Sequence, residues 1–207
     1  MKKTKRPAAR KAAGKKRKPV MRHGREGMKA RSKRPSKPRA ARPRTVGLKR
    51  QYLDIFTLEF PTTLKVMKAY PSGQDDFKPH ERSFSASRLV HAFTQENSVV
   101  VQAIRGELKM PPDLPPPPAT YAQAVANYER GARELIDTVE KIPESRLFET
   151  VTFFIGPGHL GQVPISDILW IMLMDSIHHR GQLSVYVRMA GGKVPSIYGP
   201  SADEPWM

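Results

Sequence analysis

Large apolar side chains recur at intervals of three or four residues in four separate stretches of the chain. In the first stretch, residues 51–70, they form one stripe, and a proline inside it predicts a kink or break. The stripe consists of Leu53, Phe56, Phe60, Leu64 and Met67, and the proline is Pro61. Residues 83–108, 121–142 and 165–192 show comparable helical patterns, so each stretch is predicted to form an α-helix of roughly 20 residues.

The joins between these stretches indicate how the helices are arranged. Residues 71–81 form a polar loop, and residues 109–120 are so rich in proline that they predict a stiff connector, with a polyproline ligand as the alternative. Residues 144–164 contain the β-prone run "VTFF" followed by Gly/Pro turns, which indicates a structured crossover and leaves a short hairpin open. The predicted fold class is all-α, a four-helix bundle with one long crossover. The extended segment after the fourth helix should pack back on the bundle.

Charge divides the chain into two parts. Residues 1–50 hold 22 of the 36 Lys and Arg residues and one acid, which gives +21, whereas the remainder carries −4. Residues 1–47 have almost no large apolar side chains, so they are predicted to be a disordered basic tail ahead of a domain over residues 48–207.

Clusters such as "KKRKP" and "KPRAARPR" in this tail would be attracted to nucleic acid by counterion release. The alternatives are a solubilising appendage or an upstream extension from a misassigned start codon. An organelle transit peptide is less consistent with the tail, because it lacks a clear amphipathic period.

Absent features exclude several function classes. The chain has no cysteine, which removes disulfides, thiolate metal sites and cysteine nucleophiles. Its longest apolar run, residues 168–174, is far shorter than the about 20 residues that span a bilayer. We therefore expect no membrane partner and a cytoplasmic location, with nucleoid association if the tail binds DNA.

The fourth stretch combines acidic and basic side chains within two turns. Asp175 and His179 are four residues apart, so both can face one ion or one proton on an otherwise apolar helix. A carboxylate and an imidazole are costly to bury unless they are paired or bind a metal. Spacing alone favours a hydrogen-bonded pair, and a metal site is the alternative.

The stretch "HHRGQLSVYVRMAGGKVPSIYGPSADE" resembles the C-terminal signature of the DinB-like family of bacterial four-helix proteins, and "SASRLVHAFTQE" is similar to that family's second-helix pattern. The resemblance covers about residues 51–206. It implies a divalent metal ion (zinc, nickel or iron) held by His91, Asp175 and His179, although the family often has histidine where this chain has Asp175. Glu96, His178 and Gln182 would support these ligands.

The spacing of the second helix does not itself place His91 in a site. His91 lies away from the centre of the apolar stripe, on a face that could be a polar inner pocket or the solvent side. That face is shared with Ser87, Thr94, Gln95 and Ser98. The ligand role of His91 therefore comes from the resemblance.

Two functions are consistent with these features. The first is a stress- or damage-related metal protein of the DinB type, acting as a hydrolase or as a transferase that uses a low-molecular-weight thiol. The second is a non-enzymatic binding module tethered to nucleic acid by the basic tail. Homodimerisation is expected by analogy with the family.

Overall fold

A computed structural model describes residues 46–207 and shows the four predicted helices. They are α1 (Leu48–Lys68), α2 (Ala86–Arg105), α3 (Tyr121–Lys141) and α4 (Ile165–Met189). Two of their starts follow directly from the sequence, because Ser85 caps α2 and Thr120 caps α3 through side-chain hydrogen bonds to backbone N–H groups. The predicted disordered tail falls almost entirely outside the described residues.

The proline in α1 does not interrupt that helix. Pro61 lies inside the span Leu48–Lys68 on the exposed side, so the predicted break is wrong. Its ring faces solvent rather than the core. The apolar stripe of α1 therefore stays continuous and keeps the helix packed.

The crossover between α3 and α4 contains a small antiparallel sheet, which corrects the all-α prediction. A 3-10 helix (Glu144–Phe148) leads into β1 (Thr150–Gly156), which pairs with β2 (His159–Pro164). β-branched and aromatic residues favour the strands, and Gly158 supplies the positive φ of 73° at the turn. Phe153 and Val163 are buried, so one face of the hairpin closes the core.

The helices pack so that α2 contacts both α3 and α4, and α1 contacts the same two helices. Consequently α2 presents different faces to two partners, and polar residues on it can belong to separate sites. Asn97 lies on the side of α2 that faces α3, close to Gly131. Most of the core is apolar, and among the described residues no helix is long and apolar enough to cross a membrane.

The segment after α4 folds back on the bundle, as predicted. Asp203 pairs with Arg188 of α4 at 2.8 Å, and Glu204 pairs with Lys65 of α1 at 2.6 Å. The segment also places the hydroxyl of Tyr198 against Arg180. Both helices thus hold the C-terminal segment through polar contacts.

Candidate metal centre

α4 buries one face and leaves the other exposed. Leu169, Leu173, Ser176 and Leu183 are buried, whereas Ile171 is exposed. Asp175 and His179 therefore lie at the edge of the buried stripe rather than at its centre. This position leaves one side of the pair open to a ligand or to water.

His179 is held from α2 by a carboxylate. Its Nδ1 lies 2.6 Å from Glu96 Oε1, and the hydroxyl of Ser176 donates to the other oxygen of Glu96. Glu96 is buried and is the one acid within α2. Since its two oxygens face two donors, Glu96 fixes the orientation of the His179 ring and leaves Nε2 directed elsewhere.

The free side of the His179 ring faces Asp175. His179 Nε2 and Asp175 Oδ1 are 3.9 Å apart, too far for a hydrogen bond between them. Two atoms that bind one metal ion at about 2.0–2.2 Å each must lie within about 4.4 Å of one another, so this separation fits a shared ion. Glu96, Asp175 and His179 each offer a ligand atom within 4.8 Å of the others. Over residues 46–207 this is the one such group of three.

Burial and hydrogen bonding set the protonation of the Glu96–His179 pair. Burial raises the pKa of Glu96, although the hydrogen bonds from His179 and Ser176 oppose that shift. The hydrogen bond to Glu96 raises the pKa of His179, against the effect of partial burial. The pair therefore binds protons more tightly than free side chains would, and a metal ion at Nε2 would compete with a proton there.

The structure does not bring His91 into this group. Five residues separate it from Glu96, which rotates the two side chains about 140° apart around α2. His91 is buried on the other side of the helix, where it borders a different cavity. Its role as a ligand stays a prediction from the resemblance.

The two remaining supporting residues lie outside the cluster. His178 and Gln182 are exposed and contact each other, with 2.9 Å between their side-chain nitrogens. Gln182 also borders a cavity of about 420 Å³ that reaches His179. That cavity is lined by Arg82 and by the apolar side chains of Phe84, Leu89 and Tyr186, among others. It gives a small molecule access to the histidine.

Sequence reasoning missed the part played by Ser176 and the link that Arg180 makes to α1. Ser176 is three residues before His179, so helical spacing alone could have placed the two on one face. Arg180 is buried and binds Glu59 Oε2 at 2.5 Å and Thr63 Oγ1 at 3.2 Å, besides the hydroxyl of Tyr198. Arg180 thus joins α4 to α1 and to the final segment.

Known proteins match both the signature and the fold. The model of the DinB family matches residues 121–206, a range that includes Asp175 and His179. The uncharacterized protein YrdA of Bacillus subtilis (strain 168) is 32% identical over 93 residues, which is 44% of this chain and 52% of that protein. The aligned part thus spans about half the length of this relative.

Two crystal structures share the fold at low sequence identity. The DinB-like protein YjoA of Bacillus subtilis is 21% identical with a TM-score of 0.57, covering 71% of this chain and 97% of its own. A DinB-like protein of Bacillus cereus ATCC 10987 is 19% identical with a TM-score of 0.59, covering 71% and 95%. Together with the family match over residues 121–206, they confirm the predicted resemblance to the DinB-like family, whose fold the chain shares.

Proposed function

We propose that the bundle is a divalent-metal-binding protein whose ion is bound by Asp175 and His179 next to Glu96. One observation carries the proposal: Glu96 holds Nδ1 of His179, while Nε2 faces the carboxylate of Asp175 at 3.9 Å. A carboxylate behind a histidine is a common means of fixing the ring nitrogen that binds a metal. One nitrogen and one or two oxygens suit zinc, nickel or iron in their divalent states.

The surroundings of the pair are suited to chemistry on a small molecule. A divalent ion held here would act as a Lewis acid toward a water, a thiol or a carbonyl. Asp175 is partly exposed and His179 opens onto the cavity of about 420 Å³, so a substrate can approach from solvent. Hydrolysis and thiol-dependent transfer are both consistent with such a site.

Metal analysis of the full chain tests the proposal. We expect one divalent ion per chain by mass spectrometry and calorimetry with Zn²⁺, Ni²⁺ and anaerobic Fe²⁺. His179→Ala should abolish binding and Asp175→Asn should weaken it. The matched control is His178→Ala, which removes the exposed neighbouring histidine and should leave binding unchanged. Binding that is absent in the wild type, or lost equally in both histidine variants, would contradict the proposal.

A further variant decides which residue of α2 matters. If the resemblance is right about His91, His91→Ala should remove the metal as thoroughly as His179→Ala. If the cluster with Glu96 is the site, His91→Ala should retain it. Circular dichroism of each variant separates lost ligands from lost folding.

The basic tail supports a second candidate function through its charge. Residues 1–47 hold 20 of the 36 Lys and Arg residues, so they should bind nucleic acid with an affinity that falls steeply as salt rises. We expect the full chain to bind a DNA duplex in this way and a chain lacking residues 1–47 to lose the binding. Unchanged affinity after the deletion would exclude the tail as the tether. Homodimerisation, a thiol partner and a cytoplasmic location stay predictions.

A further inference from the structure

The orphaned buried polar atoms of the described residues lie together on one helix. These side-chain nitrogens and oxygens, buried and without a hydrogen-bond partner over residues 46–207, are both ring nitrogens of His91, Thr94 Oγ1 and Asn97 Nδ2. The three residues are spaced by three positions, so they form a row along α2, away from the face that carries Glu96. Buried polar groups nearly always have a hydrogen-bond partner, so a bound molecule that supplies one is a reasonable explanation for this row.

A cavity of about 610 Å³ lies at the His91 end of the row. Its walls come from the loop before α2, the first turns of α2 and the Pro-rich connector. They include Asp75, Asp76, Ser87, Arg88, Gln95 and Pro117. His91 is 4% exposed and borders this cavity, so its imidazole contributes a buried polar surface to it.

The start of α2 does not itself provide an anion site in this cavity. The N–H groups of Ala86 and Ser87 already bind the carbonyls of Phe77 and Asp75. Asp75 also accepts the N–H of Tyr121 at 2.9 Å. Recognition in the cavity must therefore come from side chains.

The cavity presents charges of both signs that are not paired with each other. Among the described residues, neither Asp76 nor Arg88 forms an ion pair, although both border the cavity. The Arg88 guanidinium stacks 4.1 Å from the centroid of the Phe84 ring, which restrains it while leaving its edge for hydrogen bonds. Burial lowers the pKa of His91, although a contact with the Pro115 backbone opposes that shift.

We propose that this cavity is a second binding site, for a small zwitterion of the free amino acid type. The ammonium group would bind the carboxylates of Asp75 and Asp76, the carboxylate would bind Arg88, and His91 would bind a further polar group. A metal ion is a poor occupant, because no three ligating side chains converge here within residues 46–207. The site is independent of the proposed metal site, since it lies on the other side of α2.

Calorimetry on the full chain with individual L-amino acids tests the proposal, with putrescine and succinate as probes that carry one sign of charge only. We expect saturable binding of at least one amino acid and none of putrescine or succinate. Arg88→Gln and Asp76→Asn should each weaken binding at least 10-fold. Arg82→Gln, an exposed arginine that borders the other cavity, is the control and should bind as the wild type does.

Three outcomes would overturn this assignment. They are the absence of binding by every amino acid, binding of putrescine or succinate alone, and equal affinity in Arg88→Gln and Arg82→Gln. Metal content measured on the same samples keeps the two proposals apart, because Arg88→Gln should bind metal like the wild type even when its amino acid affinity falls.

A stability measurement on His91→Leu gives an independent test. Leucine has a similar size and removes two unpartnered nitrogens, so the melting temperature without ligand should equal or exceed that of the wild type. Amino acid binding should nevertheless be lost. A clear fall in the melting temperature of the ligand-free variant would show that His91 is a structural residue and would overturn its assignment to the site.

Discussion

Arg180 is the charged side chain on which the packing of three segments depends. It is 1% exposed and joins α4 to Glu59 and Thr63 of α1 and to Tyr198 of the final segment. Arg180→Ala leaves the largely buried Glu59 without its partner, so we expect a loss of about 3–5 kcal/mol in the free energy of unfolding. Urea denaturation followed by circular dichroism measures this change.

The matched control for this prediction is Arg188→Ala. Arg188 forms the same type of ion pair with Asp203 on the same helix, but its side chain is 47% exposed. Exposed pairs contribute little, so the control should lose no more than about 1 kcal/mol. Comparable losses in the two variants would show that burial of Arg180 does not determine its contribution.

Glu96 offers a second test at the scale of one side chain. Glu96→Gln keeps the size of the residue but replaces the carboxylate that orients His179. We expect the metal affinity to fall by about 10–100-fold with one ion still bound at saturation. Calorimetric titration measures the affinity, and Glu107→Gln, an exposed change just beyond α2, should have no effect. An unchanged affinity would mean that Glu96 does not support the site.

Residue spacing predicted which side chains lie together within one helix, but not which side chains meet between helices. The i, i+4 rule correctly placed Asp175 beside His179, because both lie on α4. No such rule connects α2 to α4, and the choice between His91 and Glu96 depends on the rotation of α2 about its axis. That rotation is set by packing against two helices at once, which a single sequence does not reveal.

At the scale of elements, the Gly-Gly pair after α4 has a physical explanation. Gly191 adopts a φ of 84°, and a Cβ on Gly192 would lie 2.7 Å from the carbonyl oxygen of Ala69. Gly192→Ala should therefore separate the ends of α1 and α4 and cost about 1–3 kcal/mol. Thermal denaturation should show a lower melting temperature than for Gly199→Ala, since a Cβ there meets no atom within 4 Å. Equal melting temperatures would refute the close approach.

The final segment should detach from α4 in acid. The N–H of Val194 and the nearby Arg188 lower the pKa of Asp203. A lowered pKa means that this contact stabilises the segment above the unfolded value of about 4 and is lost as the pH falls through the folded value. The amide resonance of Val194 should shift over that range in an NMR titration. In Asp203→Asn it should lack that acid-dependent step, and a wild-type resonance that does not move would contradict the prediction.

Element prediction succeeded where one pattern dominated. The apolar spacing predicted four helices with starts close to those observed. The break predicted at Pro61 does not occur, since Pro61 lies within α1 on its exposed side. The hairpin was left open because its inward residues, Phe153 and Val163, are defined by the core that they cover.

For the molecule as a whole, metal binding should appear as increased stability. A ligand at 100 times its Kd stabilises the folded state by about 2.7 kcal/mol. For a domain of this size we expect a rise in melting temperature of roughly 5–10 °C with the bound metal. Differential scanning calorimetry should show no such rise in His179→Ala. An equal rise in that variant would place the ion elsewhere in the chain.

The adjacency of His179 and Arg180 affects how a mutational scan of this protein would be interpreted. Tyr198 contacts Arg180 and Glu59, and it is not one of the three clustered ligand residues. A substitution that removes its hydroxyl would loosen the residue next to His179 and lower the affinity for metal. A scan scored by metal binding alone would then count Tyr198 among the ligands. Measuring the abundance of each folded variant in the same scan would show that Tyr198 stabilises α4 instead.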